Sequence, residues 1–355
     1  MKTFPILLLI AAGGSATLIR PSRDPIATSA SFTTPWSDSS KQGDLTFYSR
    51  GRVVTSVAVY TDSLWSERAP VTIGMPFGPT QLPPDSLCTL DYTGTTLPVF
   101  PARVLGDLER TRECGGRTFP NIRRVKLKDS AGNLSLEAAR AELATWPWPG
   151  LCEEVKNGTI LGFHVGDDVT AKEWGPDPLP IRLARWDSIA GLIRAECPEA
   201  PVVIRALPTQ LEALPDWQWL TTGWAQYPGP RPRWGPPEKF FGSQVASAKK
   251  QKLGLVAGVN LINGGCGTVE RGWCLPGVPG TTLTGSRSDL YQVSAEELIY
   301  YKAVAMSDPY VCASIDWGWG PVFRSDVHSR DDIRNAAKAL AIIAKQRPRA
   351  SCMQR

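Results

Sequence analysis

Histidine is nearly absent from this chain of 355 residues, which carries only His164 and His328. With so few imidazoles and no Cys-x-x-Cys pair, a Cys/His zinc site has no support, and no metal or organic cofactor is expected. The glycine-rich turns GxGxxG and GxxxxGK[ST] are also missing, which argues against a doubly wound nucleotide-binding sheet. Missing too is the GxSxG elbow of a Ser-His-Asp hydrolase. No internal repeat is visible. Beyond the first residues no stretch approaches ~18 uninterrupted apolar residues, so no membrane span is expected. The formal net charge is only +5. Its basic residues are scattered and accompany no binding motif, which excludes nucleic acid as the expected partner.

What the chain does have begins at its start. Lys2, an apolar run from Phe4 to Ala12 and small residues leading to Ala16 describe a secretory signal peptide over residues 1–16. The expected location is therefore secreted or periplasmic. Residues 17–45, rich in Ser, Thr and Pro, read as a flexible leader, and residues 46–355 as a single domain. Eight cysteines, an even number in an exported chain, point to disulfides rather than reactive thiols. Sequence alone does not fix the pairing; the expected pairs are Cys266–Cys274, closing a short loop, Cys312–Cys352, tying the tail to the last strand, and, by proximity in sequence, Cys152–Cys197 and Cys88–Cys114.

Candidate strands begin near residues 53, 88, 122, 160, 202, 219, 255 and 311, and most are separated by amphipathic stretches of helical period. Among these helices, 183–196 places Leu183, Trp186, Ile189, Ala190 and Ile193 on one face. Ser294 and Glu297 form a capping box for a helix over 295–306, and an Ala-rich helix is expected over 331–346. Eight strands in this rhythm favour an α/β fold of the (β/α)8 TIM type. Its first crossover should be irregular, because the Pro- and Gly-rich stretch 69–84 cannot hold a long helix. The crossover between 208 and 219 is short.

The stretch Ile160–Asp168 (ILGFHVGDD) delivers two carboxylates to the end of an apolar strand, and in parallel barrels that end forms the active face. Side chains alternate along a strand, so Asp168 should share a face with His164 and act as general acid or base, with Asp167 beside it. The alternative is that the Asp pair caps the following loop. His164 is read as a substrate contact or a satisfied core histidine. Arg205, Gln226, Asn260 and Asn263 lie at or beyond strand ends and are the right types to bind hydroxyls. Arg205, in an otherwise apolar strand, calls for an acidic partner from a neighbouring strand. Of thirteen tryptophans, many fall at strand ends of the second half; Trp224, Trp317 and Trp319, with Tyr227, are candidates for stacking on sugar faces.

By architecture over roughly residues 88–346, and locally at Asp167-Asp168-Val169, the chain resembles the (β/α)8 glycoside hydrolases. Many of these end their fourth strand in Asn-Glu-Pro or Asp-Glu-Pro. The resemblance implies an acid role for Asp168. Their seventh strand often supplies a Glu nucleophile, where this chain has Asn260, so Asp316 on the last strand becomes the candidate base or nucleophile, with Trp317 or Trp319 as the sugar floor. It implies a monomeric, cofactor-free protein that cleaves or recognises a poly- or oligosaccharide. The alternatives are a non-catalytic carbohydrate-binding barrel, which Asn260 favours, and a cell-envelope scaffold.

Overall fold

A computed structural model describes residues 74–89, 92–122, 124–214, 216–231, 233–262, 264–265, 293–317, 331–347 and 350–353, together with four strands nearer the N-terminus. Residues 1–15 of the expected signal segment, Asn263, Cys266, Cys274, Trp319 and His328 lie outside the described residues. The four early strands are β1 (Ala16–Leu18), β2 (Thr28–Thr33), β3 (Lys41–Ser49) and β4 (Arg52–Tyr60), paired antiparallel in that order. Three of them fall largely in the stretch expected to be a flexible leader. The fourth was expected to open the barrel and does not: β4 pairs with β3 along its length.

The barrel has eight strands in one parallel sheet: β5 (Phe77–Pro79), β6 (Gly94–Pro98), β7 (Arg117–Asn121), β8 (Phe163–Asp167), β9 (Val202–Arg205), β10 (Thr222–Tyr227), β11 (Gly254–Val259) and β12 (Val311–Asp316). Sequential neighbours pair from β6 to β12, and β12 pairs with β5. Threonines bridge the remaining seam: the Leu82 N–H donates to Thr95 Oγ1 at 2.9 Å, and that hydroxyl donates to the Pro79 carbonyl at 2.9 Å. The TIM-type expectation therefore holds, with its first two strands relocated. The CTLDYT segment, read as a strand, instead begins in α1 (Pro84–Thr89), because Pro at the first helical position and Asp85 in the first turn favour a helix start. The third strand ends at Asn121, and residues 124–127 form a 3₁₀ turn rather than its continuation.

Helices cover the outside: α2 (Val104–Glu113), α3 (Leu136–Leu143), α4 (Trp148–Lys156), α5 (Leu179–Glu196), α6 (Pro208–Leu211), α7 (Pro237–Gln251), α8 (Ala295–Ser307) and α9 (Asp331–Gln346). The four-residue α6 is the short crossover. Helix α8 opens on the expected capping box: Ser294 Oγ accepts from the Glu297 N–H at 3.1 Å, and the Glu297 carboxylate accepts from the Ser294 N–H at 2.8 Å. Alternation divides each strand between two layers. Val202 and Ile204 face the helices with Leu183, Trp186 and Ile189, while Phe119, Val203, Trp224, Val256 and Ile315 fill the barrel interior. A Cβ at Gly258 would lie 3.2 Å from Trp224 Nε1 and 1.9 Å from the Ile315 carbonyl oxygen, so only glycine leaves room for that indole.

Two of the expected disulfides form, Cys88–Cys114 and Cys312–Cys352. The Cys152–Cys197 expectation is corrected: both are thiols, with Cys152 Sγ directed to the Glu196 carbonyl at 3.5 Å. Burial pushes the Cys197 thiol up to about 12. No helix among the described residues is long and apolar enough to cross a membrane.

Candidate functional site

The C-terminal ends of the strands open into two adjoining chambers, of about 280 and about 320 Å³. Arg205, Trp224 and Trp317 line both. The inner chamber adds Thr80, Asn121, His164, Asp167 and Trp174; the outer adds Asp168, Gln210, Gln226, Trp234 and Asn260. Trp224, wholly buried, is the common floor, with His164 edge-on to it at 5.2 Å between ring centroids.

A single backbone irregularity decides which carboxylate faces inward. The pairing of β8 with β9 shifts register between His164 and Gly166. A bulge of this kind inserts one residue and reverses the alternation beyond it. Val165 is therefore buried on the helix side, a Cβ at Gly166 would meet Trp186, and Asp167 turns into the mouth opposite Arg205, its register partner. The expectation that Asp168 shares a face with His164 is corrected accordingly. Asp168 has left the strand, adopts a left-handed backbone with φ of 48°, and lines the outer chamber.

Arg205 is the hub. Its Nε pairs with Asp167, its Nη2 lies 3.6 Å from Asp168, and its Nη1 donates to Gln226 Oε1 at 3.1 Å. The guanidinium also sits over Trp317, 5.9 Å from the ring centroid. The expected partner from a neighbouring strand is thus Asp167. Gln226 in turn donates to the Val259 carbonyl at 3.3 Å, and Asn260 Oδ1 accepts from the Ile262 N–H at 3.2 Å.

His164 is a neutral acceptor. Burial, and next the nearby Arg205 charge, lower its pKa to about 3. Its Nε2 lies 2.9 Å from the Gly166 carbonyl, which can only accept, so the ring proton sits on Nε2 and Nδ1 carries a lone pair. Nδ1 has no partner within the protein, and neither do Thr80 Oγ1, Asn121 Oδ1 or Trp224 Nε1, all of residues lining the inner chamber. Buried polar atoms are ordinarily satisfied, and four unsatisfied ones around one cavity are what a hydroxyl-rich occupant would complete. Three non-glycine residues among those described have positive φ, and two of them, Gln81 and Asp168, line this mouth. Such strained positions cluster at binding sites.

Other expected site residues are not brought to the mouth. Asp316 lines neither chamber. Along β12, Ile315 faces the interior and Trp317 the mouth, so Asp316 between them points to the helices. There it accepts from the wholly buried Lys302 ammonium at 2.9 Å and from the Val259 N–H at 2.8 Å. Burial raises the Asp316 carboxyl and lowers the Lys302 ammonium against their mutual attraction. Tyr227 is likewise on the helix side, against Phe240, Phe241 and Tyr301, with its hydroxyl donating to the Gly235 carbonyl at 2.7 Å. Trp217 and Trp219 precede β10, at the opposite end of the barrel. Thr80, Asn121, Trp174 and Gln210 were not singled out as site residues, whereas Trp234 belongs to the group of second-half tryptophans expected at strand ends and loops. Asn121 was recoverable, since it ends a strand once that strand is placed at 117–121; Thr80 was not, because its strand was missed. Among the described residues no group of three or more His, Cys, Asp or Glu could hold a metal ion.

No family model matches the sequence, and no curated protein matches it. Similar solved structures include a beta-glucuronidase of Parabacteroides merdae, with a TM-score of 0.45 and 9% identity, covering 85% of this chain and 38% of that one. The chain thus spans well under half of that enzyme's length. An endoglucanase of Pseudomonas stutzeri has a TM-score of 0.42 and 11% identity, covering 72% of this chain and 84% of that one. A chitinase of Rhizomucor miehei has a TM-score of 0.45 and 8% identity, covering 75% and 99% respectively. The fold class defined by the strand order is the (β/α)8 barrel, and the functional reading rests on the cavity.

Proposed function

We propose that this is an exported, monomeric barrel that binds carbohydrate at the C-terminal ends of its strands. The observation that carries the reading is the inner chamber: unpartnered acceptors at His164 and Asn121, an unpartnered hydroxyl at Thr80 and an unpartnered indole N–H at Trp224, gathered beside the Trp317 ring. Sugars present both donors and acceptors from each hydroxyl and apolar faces from each ring, and this wall offers counterparts to both. The role of Arg205 is to hold Asp167, Asp168 and Gln226 in one array at the rim.

Hydrolysis is the second reading, favoured by the two carboxylates at the end of the fourth barrel strand. Asp167 takes the position in the mouth that was expected of Asp168. Asp316 is sealed behind the sheet with Lys302, so a second acid across the bond is not supplied by it. The test is a panel of oligo- and polysaccharides scored for both binding and product release, with Asp167→Asn and Asp168→Asn alongside. Binding without release supports a recognition barrel; release abolished by either substitution supports a hydrolase. No binding of any glycan overturns both.

A further inference from the structure

Among the described residues the mouth holds two cavities whose chemistry differs. The inner chamber is walled by side chains more than nine-tenths buried, Thr80, His164 and Trp224, whose Oγ1, Nδ1 and Nε1 atoms respectively have no partner within the protein. Among the described residues its cation and its anion, Arg205 and Asp167, are paired with each other. The outer chamber is lined by the amides Gln210, Gln226 and Asn260 and the half-buried Trp234. Each chamber alone lies near the small end of the roughly 300–1,000 Å³ usual for ligand sites. The wall between them is shared, formed by Arg205, Trp224 and Trp317.

Building on the carbohydrate reading, we infer that the ligand is at least two linked sugar rings, one in each chamber, with the linkage crossing the Arg205–Trp317 wall, and that the inner ring is uncharged. A charged sugar would have to displace the Arg205–Asp167 pair or enter a chamber without a free counterion, and a buried unpaired charge is costly. The acceptor at His164 Nδ1 and the hydroxyl of Thr80 instead suit ring hydroxyls. The two chambers differ in one further respect. The inner one is preorganised by buried groups with fixed neighbours, so a single ring should settle there first.

The test is calorimetric titration of the full chain with glucose, mannose and N-acetylglucosamine, and with the β-1,4- and α-1,4-linked dimers and trimers of each. The dimer of the preferred sugar should bind at least tenfold more tightly than its monomer, with little gain from dimer to trimer. Glucuronic acid should bind more weakly than glucose. Thr80→Val should weaken monomer and dimer by the same factor, whereas Trp234→Ala should bring the dimer down to the monomer's affinity. Equal binding of monomer and dimer by the unaltered protein would overturn the two-ring inference while leaving the carbohydrate reading standing. Binding of no sugar would overturn both.

Discussion

Two strand-end aspartates face opposite fates in this barrel. Asp167 ends the fourth strand and Asp316 the eighth, and each pairs with a single basic side chain. Asp167 is partly exposed in the mouth, shares Arg205 with Asp168 and Gln226, and borders an open chamber. Asp316 is buried with Lys302, whose ammonium also donates to the Ser314 carbonyl at 3.2 Å and lies 4.7 Å above the Phe77 ring. The first pair can meet a ligand, whereas the second fastens α8 to β12 and β5. Both strands carry a register shift: the one between His164 and Gly166 turns Asp167 inward, and the one in β12 between Val311 and Ala313 is followed by regular alternation that leaves Asp316 on the helix side.

The largest effect should come from breaking the sealed pair. Lys302→Met leaves a buried carboxylate without its counterion and should cost about 3–5 kcal/mol of stability. Urea unfolding should then show Lys302→Met/Asp316→Asn recovering much of the loss, since the double change removes both charges. An effect of comparable size, reached only at low pH, should come from His164. Its folded pKa of about 3 lies below the ordinary 6.5, so as pH falls the unfolded chain takes up the proton first. The stability it contributes is complete above about pH 6.5 and falls by about 1.4 kcal/mol per unit toward pH 3. Unfolding measured between pH 7 and 4 should therefore decline more steeply for the natural protein than for His164→Gln. The smallest effect should be at the rim, where Asp167→Asn removes one partner of the largely buried Arg205 but leaves it Asp168 and Gln226, so the loss of stability should fall below that of Lys302→Met. A loss there as large as at Lys302 would erase the distinction between the two aspartates.

Much of the barrel was legible because hydrophobic period and caps are local signals. The capping box at Ser294 and Glu297 and the helix over 331–346 appear where the pattern placed them. The first strands were not, because β5 has only three residues and its neighbour β6, GTTLP, looks like a turn by composition. Their stability comes from threonine hydroxyls closing the seam, a tertiary arrangement no local pattern displays. The site divides in the same way. Arg205, Trp224, Gln226 and Trp317 could be read from strand ends alone. The exchange of Asp168 for Asp167 could not, since a bulge leaves the composition of a strand unchanged. The exclusion of Asp316 was within reach, because Trp317 in the mouth requires its neighbour to face away.

The most direct measurement is the indole N–H spectrum of the nitrogen-15-labelled protein during addition of the preferred oligosaccharide, with signals assigned by Trp224→Phe and Trp186→Phe. Both indole nitrogens are buried without a partner in the protein, but Trp224 floors the chambers and Trp186 packs between sheet and helices. A saturable shift of the Trp224 signal is expected while Trp186 stays in place. A sugar that binds and leaves Trp224 unmoved would place carbohydrate elsewhere on the molecule and contradict a binding site in the mouth.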